Sequence, residues 1–426
     1  MSRTMKNSGI PWIGEVPKDW DIIRTKNVFS IGKDIIGDKS SQTQLLSLTT
    51  KGIKPVQMGN TSGKVPDSYD TYQVVHKENL VMCLFDLDCS AVFSGLSQYE
   101  GMISPAYKVL SLHKNFYPKF YDYWYSYIFD GRKYMYLSKN IRYSLTYDEF
   151  ASLGIVAPPY DKQMAIARYL DQKCVEIDEL ISLQEKIIEE LKAYKQSVIT
   201  EAVCHGLNPD VPMKDSGLEW VGRIPEGWMV SRVGLHYSII LGKMLCDKPM
   251  EGGDLVPYFC AANVHFDGIG TEELKRMWFS KEEQDKYRVQ VGDLLVVEGG
   301  AGAGGCAIVQ NLSDNTFIQN SIMIVRSDSH DCRFLKYLLE RLVKQEYIDF
   351  VCNKATIPHF TKDKLSQVPY AFPSGKEQKA IANYLDSKCS EIDALISLKQ
   401  SKIDALKEYK KSIIYEYVTG KKSVNA

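Results

Sequence analysis

Two long stretches of the chain carry apolar residues at three-to-four-residue spacing, and this pattern predicts amphipathic helices. The first stretch runs from about residue 162 to 203 and contains neither Gly nor Pro. At about 1.5 Å per residue it forms a helix on the order of 60 Å long, which needs a packing partner along its length. The apolar stripe comprises Ile177, Leu180, Ile181, Ile188, Leu191, Tyr194 and Val198, and the second stretch repeats it with Ile392, Leu395, Ile396, Ile403, Leu406, Tyr409 and Ile413.

The two stretches are near-copies of each other. Residues 163–203 match residues 378–418 at an offset of 215, with 25 of 41 positions identical. Such a repeat predicts that each helix packs against its own copy, as two antiparallel helices of a coiled coil with a pseudo-two-fold relation. Gln184 and Lys399 interrupt the stripes at equivalent positions and are candidates for fixing the register. The alternative is two unrelated surface helices, each on its own domain.

A shorter repeat opens each half of the chain. Its members Ser8, Gly9, Trp12, Gly14, Pro17 and Trp20 recur 208 residues later as Ser216, Gly217, Trp220, Gly222, Pro225 and Trp228. We call the repeated segments, 8–20 and 163–203 with their copies, the frame. The segments between them, about 21–145 and 229–357, show little obvious similarity, and we call them the interiors. A shared frame around two different interiors is suited to presenting two different surfaces.

The interiors have the pattern of mixed α/β domains. Apolar runs at Leu80–Phe85 and Asp293–Val297 predict buried strands, whereas Phe120–Phe129 and Phe334–Val343 predict helices. We therefore predict an α+β fold with two globular mixed α/β domains joined by two long antiparallel helices. The expected segments are a first domain (1–160), a first helix (161–206), a second domain (207–374) and a second helix (375–426).

Composition places the chain among ordinary folded proteins. It has 426 residues, of which 44% are hydrophobic and 25% charged. We find no apolar run of membrane-spanning length and no signal peptide, so we expect a cytoplasmic protein. The ten cysteines form no C-x-x-C pair, and we interpret them as reduced core thiols rather than metal ligands. Because Lys and Arg number 52 against 53 acidic residues, contact with nucleic acid requires local basic patches or the help of a partner.

The frame carries a further set of recurring residues. They are Gly9 to Gly14, Pro17 and Trp20 with their copies, Pro158-Pro159 and Gln163 before Ala165-Ile166-Ala167, and Pro373 with Glu377-Gln378 before Ala380-Ile381-Ala382. Gly101–Tyr107 and Asp293–Gly300 add to them from the interiors. In these residues, and over nearly its whole length, the chain resembles the specificity subunits of type I restriction-modification systems. Lys162 departs from the family, which usually has a glutamate there, as the second copy has in Glu377.

The resemblance implies a non-catalytic, sequence-specific DNA-binding subunit. Each domain would be a target-recognition domain that reads one half of a bipartite double-stranded site, because one small module reads only a few base pairs in the major groove. The helices would hold these readers apart and dock two methyltransferase subunits, and through them the restriction subunits. No cofactor, metal or catalytic residue is expected in the chain itself.

Basic and aromatic residues interleave before the first frame segment resumes, and they are the candidate DNA contacts. Basic side chains bind phosphate or guanine, and tyrosine adds stacking or a hydrogen bond. The glycine run 299–305 after a predicted strand lacks the Gly-Lys-Ser/Thr ending of a nucleotide-binding loop, so its backbone would instead approach DNA or form a tight turn. The candidates are Arg132, Lys133, Lys139, Arg142 and Tyr143 in the first half, and Gly300, Gly302, Lys354, Thr356 and His359 in the second. The alternative is a solvated helix face with buried tyrosines.

Two motifs suggest a different class of protein. Phe266–Gly270 fits the FxGxG loop of DNA methyltransferases, and Ala157–Tyr160 resembles their Pro-Pro-Tyr tetrad. The tetrad needs Asn, Asp or Ser at its first position to hydrogen-bond the target amino group, and Ala157 cannot do so. A single-chain methyltransferase and a coiled-coil adaptor without DNA specificity are therefore the alternatives to a specificity subunit.

Overall fold

The computed structural model of the chain describes residues 4–32, 34–57, 66–88, 92–137, 142–312, 315–352 and 358–424. These residues divide into two compact units. The first unit comprises Met1–Glu185 and Gln400–Ala426, and the second comprises Lys186–Lys399. Each unit thus takes part of both long helices, whereas the sequence analysis gave each helix a segment of its own. That four-segment division stays a prediction.

The elements of the first half begin and end as follows. They are β1 (Met5–Asn7), β2 (Glu15–Pro17), β3 (Asp21–Arg24), β4 (Phe29–Ile31), β5 (Leu45–Thr49), β6 (Gly52–Val56), β7 (Gln73–Val75), β8 (Leu80–Met82), β9 (Ser94–Leu96), β10 (Gly101–Ile103), β11 (Lys108–Leu112), α1 (Pro118–Asp130), α2 (Tyr147–Ser152), β12 (Gly154–Ala157) and α3 (Tyr160–His205).

The elements of the second half follow the same plan. They are β13 (Met213–Asp215), β14 (Arg223–Pro225), β15 (Met229–Arg232), β16 (Ser238–Leu241), β17 (Asp254–Phe259), β18 (Val264–His265), β19 (Gly268–Ile269), β20 (Arg276–Phe279), α4 (Lys281–Tyr287), β21 (Leu294–Val297), β22 (Cys306–Ile308), β23 (Phe317–Ile318), β24 (Ile322–Arg326), α5 (Cys332–Lys344), α6 (Tyr347–Cys352), α7 (Lys362–Gln367), β25 (Pro369–Phe372) and α8 (Gly375–Val418).

The sheets of the first unit are short and mostly antiparallel. The central sheet has the order β4-β11-β8-β9, and a second sheet has the order β6-β5-β10-β7 with β5 parallel to β10. Strand β3 pairs with β12, which leads into α3. Helix α1 buries Phe120 and Trp124 beside Trp20 of the frame, so the core joins interior and frame. Pro118, at the start of α1, has the φ that a first helical turn requires.

The second unit repeats this topology although its interior sequence differs. The order β16-β24-β21-β22 corresponds to the first central sheet, β17 runs parallel to β23, and β15 pairs with β25. Its core places Phe334 and Leu338 of α5 with Trp228 of the frame. The duplication therefore extends through the interiors, where we had found little similarity. The mixed helix and sheet content confirms the predicted α+β class.

Within each unit, segments of α3 and α8 lie antiparallel. In the first unit Lys410 Nζ contacts Asp178 Oδ2 at 2.7 Å, and in the second Lys195 Nζ contacts Asp393 Oδ2 at 2.6 Å. The residue numbers of each pair add to 588, so the two contacts share one register. Because the offset of the repeat converts one pair into the other, the same two residue types meet twice.

The apolar stripe of the long helices is only partly buried. Its fully buried members are Ile177, Ile188, Ile392, Ile403 and Ile413, and its half-buried members include Ile181, Leu191, Ile396 and Leu406. The placement of Leu180 and Tyr194 in the packing stripe was wrong, because these side chains are 44% and 57% exposed. Their copies Leu395 and Tyr409 are exposed as well. The apolar face that the spacing predicts is wider than the part of a helix surface that one partner helix can bury.

Several cysteines belong to the cores. Cys174, Cys204, Cys306 and Cys389 are buried among apolar residues, and burial raises the pKa of each thiol, for Cys389 to about 11. Such thiols stay protonated and unreactive at neutral pH. Across the described ranges, no helix combines the length and apolar character needed to cross a bilayer. In that same part of the chain, no group of three or more His, Cys, Asp or Glu side chains could hold a metal ion.

Candidate nucleic-acid interface

In the second unit, the glycine loop lies against the segment that returns the chain to the frame. The loop follows β21, and Gly299 forms an isolated antiparallel bridge with His359. The Gly300 N–H donates to the Pro358 carbonyl oxygen at 3.2 Å. Gly300 and Gly302 lie about sixty residues before His359 in the sequence. The fold thus brings these candidates to one place.

Glycine is required at different positions of this loop for different structural reasons. Gly300 has φ +86° with no atom within 4 Å of a built Cβ, so only its backbone conformation requires glycine. Gly304 has φ +81°, and a Cβ there would stand 2.9 Å from Val343 and 3.1 Å from Ile348. Gly302 is exposed, and an added Cβ would meet only Val297 at 3.9 Å. The tip of the loop is therefore open to a ligand, while its base is packed against α5 and α6.

The first unit has an equivalent loop after β8, and side chains close it. Arg142 Nη1 lies 3.5 Å from Asp86 Oδ2. The Asp86 N–H donates to Ser144 Oγ at 2.8 Å, and Asp86 has φ 49°. Asp86 precedes Gly300 by the same 214 residues that separate α1 from α5. Both units thus join the loop after the central strand to the returning segment.

One backbone hydrogen bond is common to both loops. The Leu145 N–H donates to the Leu84 carbonyl oxygen at 2.7 Å, and the Phe360 N–H donates to that of Glu298 at 2.6 Å. These bonds depend on no side chain, so the returning segment keeps its place while the residues around it differ. A surface built in this way can change its chemistry without changing its backbone.

Arg142 is available to a phosphate. Its side chain is 73% exposed and the carboxylate of Asp86 is 42% exposed. An ion pair so exposed to water contributes little to stability, because water screens the charges. Another anion would therefore displace Asp86 from Arg142 at small cost.

The remaining candidates of the first unit lie just after α1. Arg132 is exposed with φ 50°, and Tyr143 has φ 51°. Lys133 is half-buried and lines a cavity of about 370 Å³ together with Trp12 and Tyr127. The candidates Lys139, Lys354 and Thr356 lie outside the described residues.

Two buried glutamines connect the frame to the interior helices. Gln163 Oε1 accepts from the N–H of Tyr117, which precedes α1, at 2.8 Å. Gln378 Oε1 accepts from the N–H of Asp331, which precedes α5, at 3.1 Å. A helix start has unpaired N–H groups, so each buried glutamine satisfies a donor that the helix itself leaves without a partner.

Two tyrosine–aspartate bonds repeat this connection about two helix turns further on. Tyr123 donates to Asp171 Oδ1 at 2.8 Å and Tyr337 donates to Asp386 Oδ1 at 2.7 Å. Burial raises the pKa of both phenols, with the aspartates adding to the effect, so the hydroxyls remain donors. These positioning residues were not among those predicted from the sequence. The available signal was the repeated Tyr-Leu-Asp of the frame, whose aspartate recurs without an obvious partner.

The methyltransferase-like motifs have ordinary structural surroundings. Phe266–Gly270 contains the turn between β18 and β19, and Ala157 lies in β12 opposite Asp21. A cavity of about 1090 Å³ adjoins the turn, and its polar walls include Lys195, Arg333, Lys336, Glu340, Asp386 and Asp393. These cations and carboxylates are paired with each other, Lys195 with Asp393, Arg333 with Asp386 and Lys336 with Glu340.

Comparison with known proteins agrees with the family resemblance. Residues 257–420 match the type I restriction modification DNA specificity domain. A Methanocaldococcus jannaschii chain provisionally named the type I restriction enzyme MjaX specificity subunit is 22% identical, over 96% of this chain and 95% of that one. The type I restriction enzyme MjaVIII specificity subunit of the same organism is 27% identical, over 64% of this chain and 63% of that one.

The fold also has a solved counterpart. A chain from a study of complex assembly and conformational transition of the type I R-M system matches with a TM-score of 0.72. The identity is 16%, and the match covers 95% of this chain and 99% of that chain. At this identity the likeness concerns the fold.

Proposed function

We propose that this chain, a member of the type I restriction-modification specificity-subunit family, reads a bipartite DNA site and docks methyltransferase subunits, without performing catalysis itself. The proposal rests on one surface that occurs in both units, where the loop after the central strand meets the returning segment. It contains Asp86 and Arg142 in the first unit, and Gly299 and His359 in the second. Each unit has one such surface, at an equivalent position and with different side chains. Two readers of equal geometry and different chemistry suit two unlike half-sites.

The first unit offers charge to DNA, and the second offers backbone. Arg142 with Arg132 and Lys133 would contact phosphate or guanine. Gly300 and Gly302 would let the polypeptide approach the duplex closely, with His359 beside them. Lys139, Lys354 and Thr356 remain candidates on sequence grounds. Because the net charge of the chain is −1, we expect these local patches to make the contacts with DNA.

Partner docking is supported by exposed apolar residues on the long helices. In the first unit these are Leu180, Leu183 and Tyr409, with Lys173 beside Tyr409; in the second they are Leu395, Leu398 and Tyr194, with Lys388 beside Tyr194. Each residue of one set is the copy of a residue in the other. Identical surfaces bind identical partners, so two methyltransferase subunits are expected, and restriction subunits through them. The paired helix segments are proposed as the coiled-coil spacer between the readers.

Methyl transfer is assigned to the partners. Ala157 has no side-chain acceptor for a target amino group, and the Pro-Pro segment that follows it precedes α3, where proline fits the start of a helix. If the chain were instead a single-chain methyltransferase, the purified protein would bind S-adenosylmethionine and transfer methyl groups unaided. We expect neither, and either result would contradict the proposal.

Methylome sequencing of the host with and without this chain tests the function directly. We expect methylation to disappear at one bipartite motif on deletion and to return when the wild-type chain is supplied again. Persistence of every methylated motif would contradict the proposal. DNA recovered with the assembled complex without any sequence preference would instead favour an adaptor.

A further inference from the structure

Two large aromatic side chains project into solvent at equivalent points of the two units. Tyr136 is 74% exposed and Phe350 is 83% exposed. Tyr136 follows α1 and Phe350 follows α5, and the offset between the aromatics equals the 214-residue offset between the helices. Exposed apolar side chains are common singly, but recurrence at the same point of a duplicated fold is not expected by chance.

The backbone that presents the two aromatics is also duplicated. Arg132 has φ 50° and Glu346 has φ 57°, and both stand four residues before the aromatic. The Arg132 N–H donates to Phe129 O at 2.9 Å, and the Glu346 N–H donates to Val343 O at 3.1 Å. A left-handed backbone is unfavourable for a residue with a side chain. Both units therefore keep the same unfavourable turn, after which an aromatic side chain faces water.

The position of the aromatics favours DNA as the partner. Each stands between the interior helix and the returning segment, which carries Arg142 in one unit and His359 in the other. In the first unit, residues 130–143 hold four basic residues against one acidic residue, in a chain whose net charge is −1. The equivalent residues 344–357 hold two basic and two acidic residues. A local positive surplus next to an exposed ring favours a nucleic-acid backbone as the partner in the first unit, and the second unit is assigned the same partner from its duplicated backbone.

The sequence around the aromatics argues against a repeated protein partner. On the long helices, where two identical partners are proposed to dock, exposed Leu180 and Leu183 recur unchanged as Leu395 and Leu398. Tyr136 and Phe350 differ from each other, and their neighbours differ too. Divergence at equivalent places is expected of surfaces that meet different base pairs.

We propose that Tyr136 and Phe350 are the aromatic DNA contacts of the two units, each placing its ring against base edges in a groove of its own half-site. This inference rests on the proposed function and adds two contact residues to it. Contact between an apolar side chain and a base edge, such as the thymine methyl group, depends on the base that is present, so each ring supports recognition of its own half-site.

The test uses the full chain assembled with its methyltransferase subunits and a duplex carrying the bipartite site identified by methylome sequencing. We expect Tyr136→Ala and Phe350→Ala each to weaken binding about 10-fold. The dependence of affinity on salt should stay unchanged, because no phosphate contact is lost. Tyr136→Phe and Phe350→Tyr keep the ring and should bind as the wild type does. Met135→Ala and Leu235→Ala, which also truncate exposed apolar side chains, serve as controls.

A second duplex separates a contact from a general structural role. On DNA whose first half-site is scrambled, Tyr136→Ala should cause no further loss, whereas Phe350→Ala should still weaken binding. If the wild-type assembly shows no preference for the bipartite duplex, the proposed function fails. If it shows the preference and both alanine variants bind equally well, only the aromatic inference is wrong. Loss of the methyltransferase subunits in place of DNA affinity would also overturn it, because the rings would then be protein contacts.

Discussion

The two units close the same loop by different means. In the first unit side chains make the contacts, because the Arg142 guanidinium lies beside the Asp86 carboxylate and Ser144 Oγ accepts from the Asp86 N–H. In the second, backbone meets backbone between Gly299 and His359. The difference shows that the returning segment is held by the hydrogen bonds common to both units, and that the side chains around it are free to vary.

Gly304→Val should destabilise the second unit most. The new side chain would meet Val343 and Ile348 at about 3 Å and would impose a left-handed conformation on a β-branched residue. We expect a loss of about 3 kcal/mol in the free energy of unfolding, measured by urea denaturation. Gly300→Ala is the control, since its Cβ would meet no atom within 4 Å, and it should cost about 1 kcal/mol. Equal losses would show that packing at the base of the loop is unimportant.

Glu377→Lys should destabilise the frame of the second unit to a lesser degree. Glu377 Oε1 accepts from the indole N–H of Trp228 at 3.0 Å, and a lysine cannot accept it. The frame of the first unit already has Lys162 at the equivalent place, so Lys162→Ala should be nearly neutral. We expect a cost of about 1 to 2 kcal/mol for Glu377→Lys, by the same denaturation measurement. A neutral result would mean that the indole finds another acceptor.

Arg142→Ala should weaken DNA binding modestly and should also lower its salt dependence. Loss of one phosphate contact reduces the slope of log affinity against log salt by about one, with an effect on affinity that is similar for all sequences. Lys354→Ala is the corresponding change in the second half. Unaltered affinity and slope in both the Arg142 and Lys354 variants would reject these patches as DNA contacts.

The sequence predicted the parts of the fold that depend on local pattern. The long helices begin and end near the predicted residues, and the glycine after each, Gly206 and Gly420, has positive φ as a helix stop requires. The strand at Leu80 and the helix at Phe334 were also found. Period and composition are sufficient for these elements because the signal lies within a few neighbouring residues.

Other features could not be predicted because they depend on partners distant in the chain. The bridge from Gly299 to His359 leaves no local trace, and neither does the bond from Tyr123 to Asp171. The equivalence of the interiors was missed because a sheet keeps its strand order through backbone pairing while most of its side chains change. Leu180 was misassigned because periodicity gives the width of a stripe and not the edge that meets the partner.

The reciprocal ion pairs favour one alignment of the long helices. Sliding α8 along α3 by one heptad in one direction would bring Asp178 opposite Ile403 in the first unit and Asp393 opposite Ile188 in the second. Sliding it by one heptad in the other direction would bring Asp178 opposite Tyr417 and Asp393 opposite Ala202. Either shift separates each aspartate from its lysine, and because the aspartates are 58% and 53% exposed, each lost pair costs little by itself. The duplication makes the same small preference act in both units, which a uniform apolar seam would not do.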